Sequence, residues 1–323
     1  MKRISVISCL VPLIGLLLAA CQSSAPVEVV IARPQPLVSP GIHVSANRGG
    51  AAYAPENTMM AFRNAARLGA DDFKTGTWLT ADGALVLLHD QELSRTTNCR
   101  GRVTDFSWAQ LQRCDAGWWF TPGQGATMPD RTASHPARGK GVTVPSAKAL
   151  FVYVAGFRGR YRPTITIELR DDLVPAREAD VLVSLIKASG IQDRIIVQSF
   201  HAAGIDRVKA LDPTIRTVYL TASEPGAEAA LDHAIQQGHE IVAPSHNLSE
   251  LDAAYVDRAH AGGHKIVPWT VNRRSDMLRL MQLDIDGVIS DFPGCALQMQ
   301  SRLASARLMP TVLGAPDAPL CQL

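Results

Sequence analysis

The chain has 323 residues, 46% hydrophobic and 19% charged, which is enough for one large globular domain and does not require two. A formal net charge of +2 supplies no strongly basic face, so nucleic-acid and other polyanion binding are set aside.

Lys2 and Arg3, an apolar run over 11–18 and the sequence Leu18-Ala19-Ala20-Cys21 read as an export signal rather than a spanning helix. The ending resembles a bacterial lipoprotein box, which implies a signal peptide at 1–20, lipid on Cys21 and a proline-bearing tether over 21–40. The alternative is an ordinary cleaved signal. Gln22 after the cysteine points to the periplasmic face of the outer membrane if the host is Gram-negative, a cell-envelope location in either case. Export favours disulfides, and Cys99, Cys114, Cys295 and Cys321 remain once Cys9 and Cys21 are assigned. Proximity in sequence favours Cys99–Cys114 and Cys295–Cys321 among the three pairings, with free buried thiols as the alternative.

Residues 42–46 read as a buried strand ended by Asn47-Arg48-Gly49-Gly50. Pro55-Glu56-Asn57-Thr58 leads into a helix with Met59, Phe62, Ala65, Ala66 and Leu68 at helical spacing, stopped by Gly69. An extended run to Leu79 turns at Asp82-Gly83 and returns over 84–88 into His89-Asp90. Residues 91–120 contain a short helical pattern near 108–111. Residues 121–141, rich in Gly, Pro, Thr and Ser, read as a mobile surface loop. Short apolar strands follow at 164–169, 194–199, 216–220, 240–243, 265–269 and 287–290, with helical stretches at 179–189, 204–210, 227–237 and 251–261. With the two early strands this makes a parallel sheet of eight, closing as a barrel over 41–303 and leaving a tail at 304–323.

Arg48-Gly49, Pro55 to Thr58, Gly69 to Asp71, Thr80, Asp82-Gly83, His89-Asp90 and Arg95-Thr96-Thr97 resemble, in order and spacing, the opening motifs of the glycerophosphodiester phosphodiesterase family. The likeness runs on through Val144-Pro145, residues 167–170, Ser199-Phe200, residues 269–272 and 286–291. It implies a TIM (β/α)8 barrel with an insertion after the second strand, residues 91–120, lying over the barrel mouth. In that family, three carboxylates hold a divalent cation and two histidines move protons. Here Asn47 stands in place of the first histidine, Lys74 in place of a metal-binding glutamate and Gly76 in place of a metal-binding aspartate. The second histidine persists as His89, a metal carboxylate as Glu168 and the phosphate-contacting arginine as Arg48, while Arg170 replaces a lysine.

Strand parity points Asp72, Lys74 and Gly76 into the barrel and Phe73 and Thr75 outward, with Asp72 about 6.6 Å too deep to substitute for the lost ligand. An ammonium at position 74 repels a cation and pairs with Glu168; the bland alternative is that it reaches away to solvent. Asn47 offers a hydrogen bond to a phosphate oxygen and no proton exchange. His89 is the residual acid–base candidate, and Arg48, Arg170 and Trp269 are candidate ligand contacts. Their alternatives are a structural histidine, an arginine paired with an acidic neighbour and a core tryptophan. Three functions therefore compete. The favoured one is a membrane-tethered barrel, catalytically impaired and without a metal cofactor, that binds a phosphodiester or phosphate-containing small molecule through Arg48, Asn47, Lys74, Glu168, Arg170 and Trp269. The second is an active, calcium- or magnesium-dependent phosphodiesterase giving an alcohol and glycerol phosphate. The third is a structural envelope lipoprotein. On the favoured reading, hydrolysis is expected to return only when Asn47→His, Lys74→Glu and Gly76→Asp are combined.

Overall fold

The computed structural model describes residues 41–170, 175–223, 226–302 and 320–322. The expected signal at 1–20, Cys21, the tether up to residue 40 and most of the tail lie outside these residues. Strands β1 (His43–Asn47), β2 (Asp72–Leu79), β4 (Thr164–Leu169), β5 (Ile195–Ser199), β6 (Arg216–Thr221), β7 (Ile241–Pro244), β8 (Lys265–Ile266) and β9 (Gly287–Ser290) run parallel in the order β8-β7-β6-β5-β4-β2-β1-β9. β3 (Leu85–Leu87) folds back antiparallel on β2 through the Asp82-Gly83 turn. Backbone bonds from Asp286 N to Ile266 O (3.0 Å) and from Ile289 N to Pro268 O (2.9 Å) close the ring between the outer strands. The expected barrel is therefore present. β8 is shorter than the run 265–269 because Pro268 has no N–H to give the ladder, yet Val267 and Trp269 still bond to β7.

The first helix, α1 (Met59–Leu68), starts where Thr58 accepts the Ala61 N–H and stops where Gly69 turns left-handed at φ 84°. Its Phe62 meets Phe73 of β2 with ring centroids 6.0 Å apart, in an apolar layer between helices and sheet that also takes Ala65, Ile165 and Ile167. Inside the ring Ile196, Val218, Leu220, Ile241, Ala243 and Ile289 form a separate plug. Asp72, buried deep on the inner face, accepts hydrogen bonds from Ser45, Thr164 and Thr166 at 2.6, 2.6 and 3.0 Å, which satisfies its carboxylate and keeps it below the mouth.

Helices at Ala147–Ala155, Arg274–Met281 and Pro293–Met299 are additional to the four later helices read from sequence. The segment 121–141, expected as a free surface loop, is tied down at several points. Gly123 N bonds to Ala52 O at 2.7 Å, Ala126 N bonds to Asp291 Oδ2 at 3.3 Å, and Arg131 and Arg138 each lie 4.5 Å from the ring centre of a tryptophan, Trp119 and Trp118 respectively. Both expected disulfides are formed, Cys99–Cys114 within the insertion and Cys295–Cys321 to the chain end. Beside the second bridge, Tyr53 donates to Leu320 O at 2.6 Å and Gln322 N to Asn272 O at 3.1 Å, so residues 320–322 sit against the barrel.

Candidate active site

The C-terminal ends of the strands surround a cavity of about 40 Å³, lined chiefly by Asn47, Arg48, Lys74, His89, Glu168 and Arg170, with Phe200 and Trp269 on its apolar side. On the usual measure one water needs about 10–15 Å³, so the chamber holds a few waters or one small polyatomic group. Sequence placed Arg48, Lys74, His89 and Glu168 far apart, and the barrel brings them to one wall.

Lys74 and Glu168 lie on adjacent strands, two residues out of register, and face inward. Lys74 Nζ reaches Glu168 Oε2 at 2.5 Å with both side chains buried, and Arg170 pairs with the other oxygen, Oε1. Lys74 does not reach away to solvent. Burial pulls the Glu168 carboxyl upward, but the Lys74 and Arg170 charges outweigh that and hold it well below the usual carboxylate range. Lys74 is drawn below its ordinary value, first by burial and then by the like charges of Arg48 and Arg170, against the pull of Glu168.

Position 76 is closed for a different reason. A Cβ on Gly76 would lie 2.7 Å from the Leu88 carbonyl oxygen and 3.0 Å from Arg170 Cγ, so no side chain fits without moving backbone. Arg170 is held across this spot by Nε donating to His89 O at 3.1 Å.

Asn47 points its amide at Asp291, with Nδ2 to Oδ1 at 2.8 Å, and Asn272 Nδ2 takes Oδ2 at 3.0 Å. The donor that sequence assigned to a phosphate oxygen is thus engaged, and Oδ1 of Asn47 is buried without a partner among the described residues. Asp291 was read in the sequence only as the end of a motif. Its role as the hub joining Asn47, Asn272 and the insertion at Ala126 depends on contacts 244, 19 and 165 residues apart in sequence.

Arg48 pairs with Glu56 through NH1 at 3.0 Å, as in the acidic-neighbour alternative, while its Nε is buried and unpartnered among the described residues. Its φ of 54° is left-handed, and the turn is held by Asn57 N bonding to Arg48 O at 2.8 Å. Glu56 also takes Arg95 at 2.7 Å; Arg95 pairs with Asp90, and Asp90 with His89 Nδ1 at 2.6 Å. An unbroken chain of ion pairs therefore runs from Arg48 to Asp90 and ends in the hydrogen bond between Asp90 and the His89 imidazole. It joins Pro-Glu-Asn-Thr, His-Asp and Arg-Thr-Thr, which are separate in sequence, through the side chains of Glu56, Asp90 and Arg95. Burial is the largest influence on His89 and lowers its pKa, Asp90 opposes, and Arg48, Arg170 and Lys74 lower it further, leaving a neutral imidazole at pH 7. Burial raises the Glu56 carboxyl, but Arg48 and Arg95 bring it down to about 2. Trp269 is not a core tryptophan: its ring and that of Phe200 meet in a T-shaped contact with centroids 5.2 Å apart in the cavity wall, and its indole N–H goes to Ala243 O at 2.9 Å.

A family-type divalent cation does not fit this donor set. Among the described residues Glu168 is the one carboxylate lining the cavity, both of its oxygens hold cationic side chains, and the missing ligand positions are an ammonium and a crowded glycine.

Fold and site together define an eight-stranded α/β barrel with a charged mouth. The sequence pattern of the glycerophosphoryl diester phosphodiesterase family matches residues 48–295, and the chain belongs to that family. It is 30% identical over 264 residues to a glycerophosphodiester phosphodiesterase of Caldanaerobacter subterraneus, covering 77% of this chain and 94% of that one. Identity to the glycerophosphodiester phosphodiesterase of Bacillus altitudinis is also 30%, over 80% of this chain and 98% of the relative. Among solved structures, a putative glycerophosphoryl diester phosphodiesterase from Silicibacter pomeroyi superposes with a TM-score of 0.70 at 21% identity, covering 82% of this chain and 96% of that one. An Oleispira antarctica phosphodiesterase in complex with the product sn-glycerol-3-phosphate gives a TM-score of 0.68 at 23% identity, over 80% of this chain and 96% of that one.

Proposed function

We propose that this family member binds a phosphate-bearing small molecule, a glycerophosphodiester or its glycerol phosphate product, at a mouth where Lys74 has replaced the metal and where metal-dependent hydrolysis is impaired. The observation that carries this reading is the charge balance of the cavity: among its described lining residues Arg48, Lys74 and Arg170 face the one carboxylate of Glu168. Two of the three cations keep donors for a ligand. Glu168 accepts a hydrogen bond from one of the three Lys74 N–H groups, and Arg48 presents a buried Nε that has no partner among the described residues. An entering phosphate would draw the Lys74 pKa back up, so binding is coupled to protonation. The product complex of the Oleispira phosphodiesterase supports this ligand class.

His89 is neutral and oriented by Asp90, yet Asn47 cannot serve as the second proton carrier, and its amide is already tied to Asp291. Loss of one general acid–base partner lowers rates by about 10²- to 10⁴-fold before the missing cation is counted. Lys2, Arg3, the run 11–18 and Leu18-Ala19-Ala20-Cys21 support, as part of the same proposal, a lipid anchor on Cys21 and residence in the cell envelope, with the barrel carried on the tether.

The test is isothermal titration with sn-glycerol-3-phosphate and inorganic phosphate, paired with release of choline from glycerophosphocholine with and without calcium. Binding that disappears in Lys74→Met, together with turnover unaffected by calcium, is the expected outcome. Robust calcium-stimulated turnover overturns the impaired-site reading, and absence of any anion binding favours a structural role for the barrel.

A further inference from the structure

Away from the mouth, three side chains from different elements converge toward the start of the strands. Asp206 lies on α5 (Ala202–Leu211), His233 on α6 (Ala227–Gln237), and His239 in the turn two residues before β7. Asp206 Oδ1 is 2.9 Å from His239 Nε2 and 3.2 Å from His233 Nε2, and one ligand-type atom from each residue lies within 4.8 Å of the other two. Among the described residues no other three His, Cys, Asp or Glu side chains cluster in this way.

We propose that Asp206, His233 and His239 form a zinc site that fastens α5 and α6 to the turn before β7. Two imidazole nitrogens and one carboxylate oxygen suit a borderline divalent transition ion and not calcium or magnesium, which favour all-oxygen shells. Zinc bonds of about 2.0–2.2 Å at tetrahedral angles separate donor atoms by roughly 3.3–3.5 Å. The Asp206–His239 and Asp206–His233 spacings of 2.9 and 3.2 Å need to open by only a few tenths of an ångström, and the ligand atoms of the two histidines lie within 4.8 Å of each other. His239 is oriented from behind: its Nδ1 lies 2.8 Å from Thr217 Oγ1, whose onward neighbour is Glu240 Oε2 at 3.3 Å. If Nδ1–H donates to the threonine hydroxyl and that hydroxyl donates to Glu240, Nε2 presents a lone pair directly toward the Asp206 carboxylate. Two acceptors then face one another, and a cation between them resolves the conflict.

The surrounding residues suit an ion. His239 is fully buried, while the His233 and Asp206 side chains are 27% and 36% exposed, which leaves an entry path and a fourth position for water. The aromatic ring of Tyr219 lies against His233 with centroids 5.1 Å apart and limits its rotation. Lys209, the nearby cation, is held by Glu240 at 2.5 Å. The competing arrangement contains no metal: both imidazoles carry the proton on Nε2 and donate to Asp206, with Thr217 donating to Nδ1.

The experiment is equilibrium dialysis of chelator-treated full-length protein against zinc, with thermal unfolding in the same buffers and calcium as control. The expected result is one zinc per chain, a higher melting temperature with zinc and none with calcium. His233→Gln and Asp206→Asn should bind zinc at least about tenfold more weakly, and His233→Cys should recover binding, which a purely hydrogen-bonding role does not predict. Absence of zinc binding by the parent, or unchanged zinc binding in both His233→Gln and Asp206→Asn, overturns the proposal. The outcome is independent of whether the mouth binds phosphate.

Discussion

The buried pair of Lys74 and Glu168 makes an asymmetric prediction. Lys74→Met removes one charge-assisted hydrogen bond from Glu168, but Arg170 stays on Oε1 and Gln198 Nε2 lies 3.5 Å from Oε2. The carboxylate keeps a counter-charge, and the loss should be about 1.5–3 kcal/mol, the worth of one hydrogen bond to a charged group. Glu168→Gln keeps the shape but leaves Lys74 without an anion inside the barrel while Arg48 and Arg170 repel it. Stranding one partner of a buried pair costs about 3–5 kcal/mol. Glu168→Gln should therefore be the worse variant, and adding Lys74→Met to it should recover part of its loss, because replacing both charges is often near neutral. Urea unfolding of the four proteins, followed by circular dichroism with a shared slope, measures each term. Equal losses for the two single variants, or strict additivity in the double, would refute the claim that Lys74 relies on Glu168 as its counter-charge.

The structure revises the expectation that three reversions restore hydrolysis. Because a Cβ at position 76 meets the Leu88 carbonyl at 2.7 Å, Asn47→His, Lys74→Glu and Gly76→Asp together should remain without calcium-stimulated release of choline, and Gly76→Asp alone should lower stability by about 1–3 kcal/mol. Calcium-dependent turnover in the triple variant would mean that the Leu88–His89 backbone gives way easily. Acid should weaken the mouth: the Glu56 pKa is depressed to about 2 from 4.5, so its contribution is complete above pH 4.5 and is lost as pH falls toward 2. It is worth on the order of 3 kcal/mol, and a pH series of urea midpoints in Glu56→Gln, which should flatten that limb, checks it. Reducing Cys99–Cys114, with a sequence separation of 15, should lower stability by about 3 kcal/mol in the chain-entropy model. Mass mapping of unreduced peptides confirms the bridge, and an unchanged urea midpoint after reduction would count against that magnitude.

Local pattern was enough for much of this protein. Apolar strands alternating with helices prescribe a parallel sheet covered by helices, and the family resemblance implied its closure into a barrel. Thr58 and Gly69 bound the first helix through bonds within a few residues, so sequence alone could place it. Parity along β2 turned Lys74 and Gly76 inward and Phe73 outward before any contact was known, because successive strand residues alternate by geometry. The fate of individual polar groups was not legible in this way. Whether Lys74 met Glu168 or water, whether Arg48 faced a ligand or Glu56, and whether the Asn47 amide stayed open or closed on Asp291 were decided by partners up to 244 residues distant. The gathering of Asp206, His233 and His239 was equally invisible, since they stand on separate elements with no common spacing. Each of these side chains had several partners compatible with its chemistry, and the closing of the barrel fixed the distances that select among them.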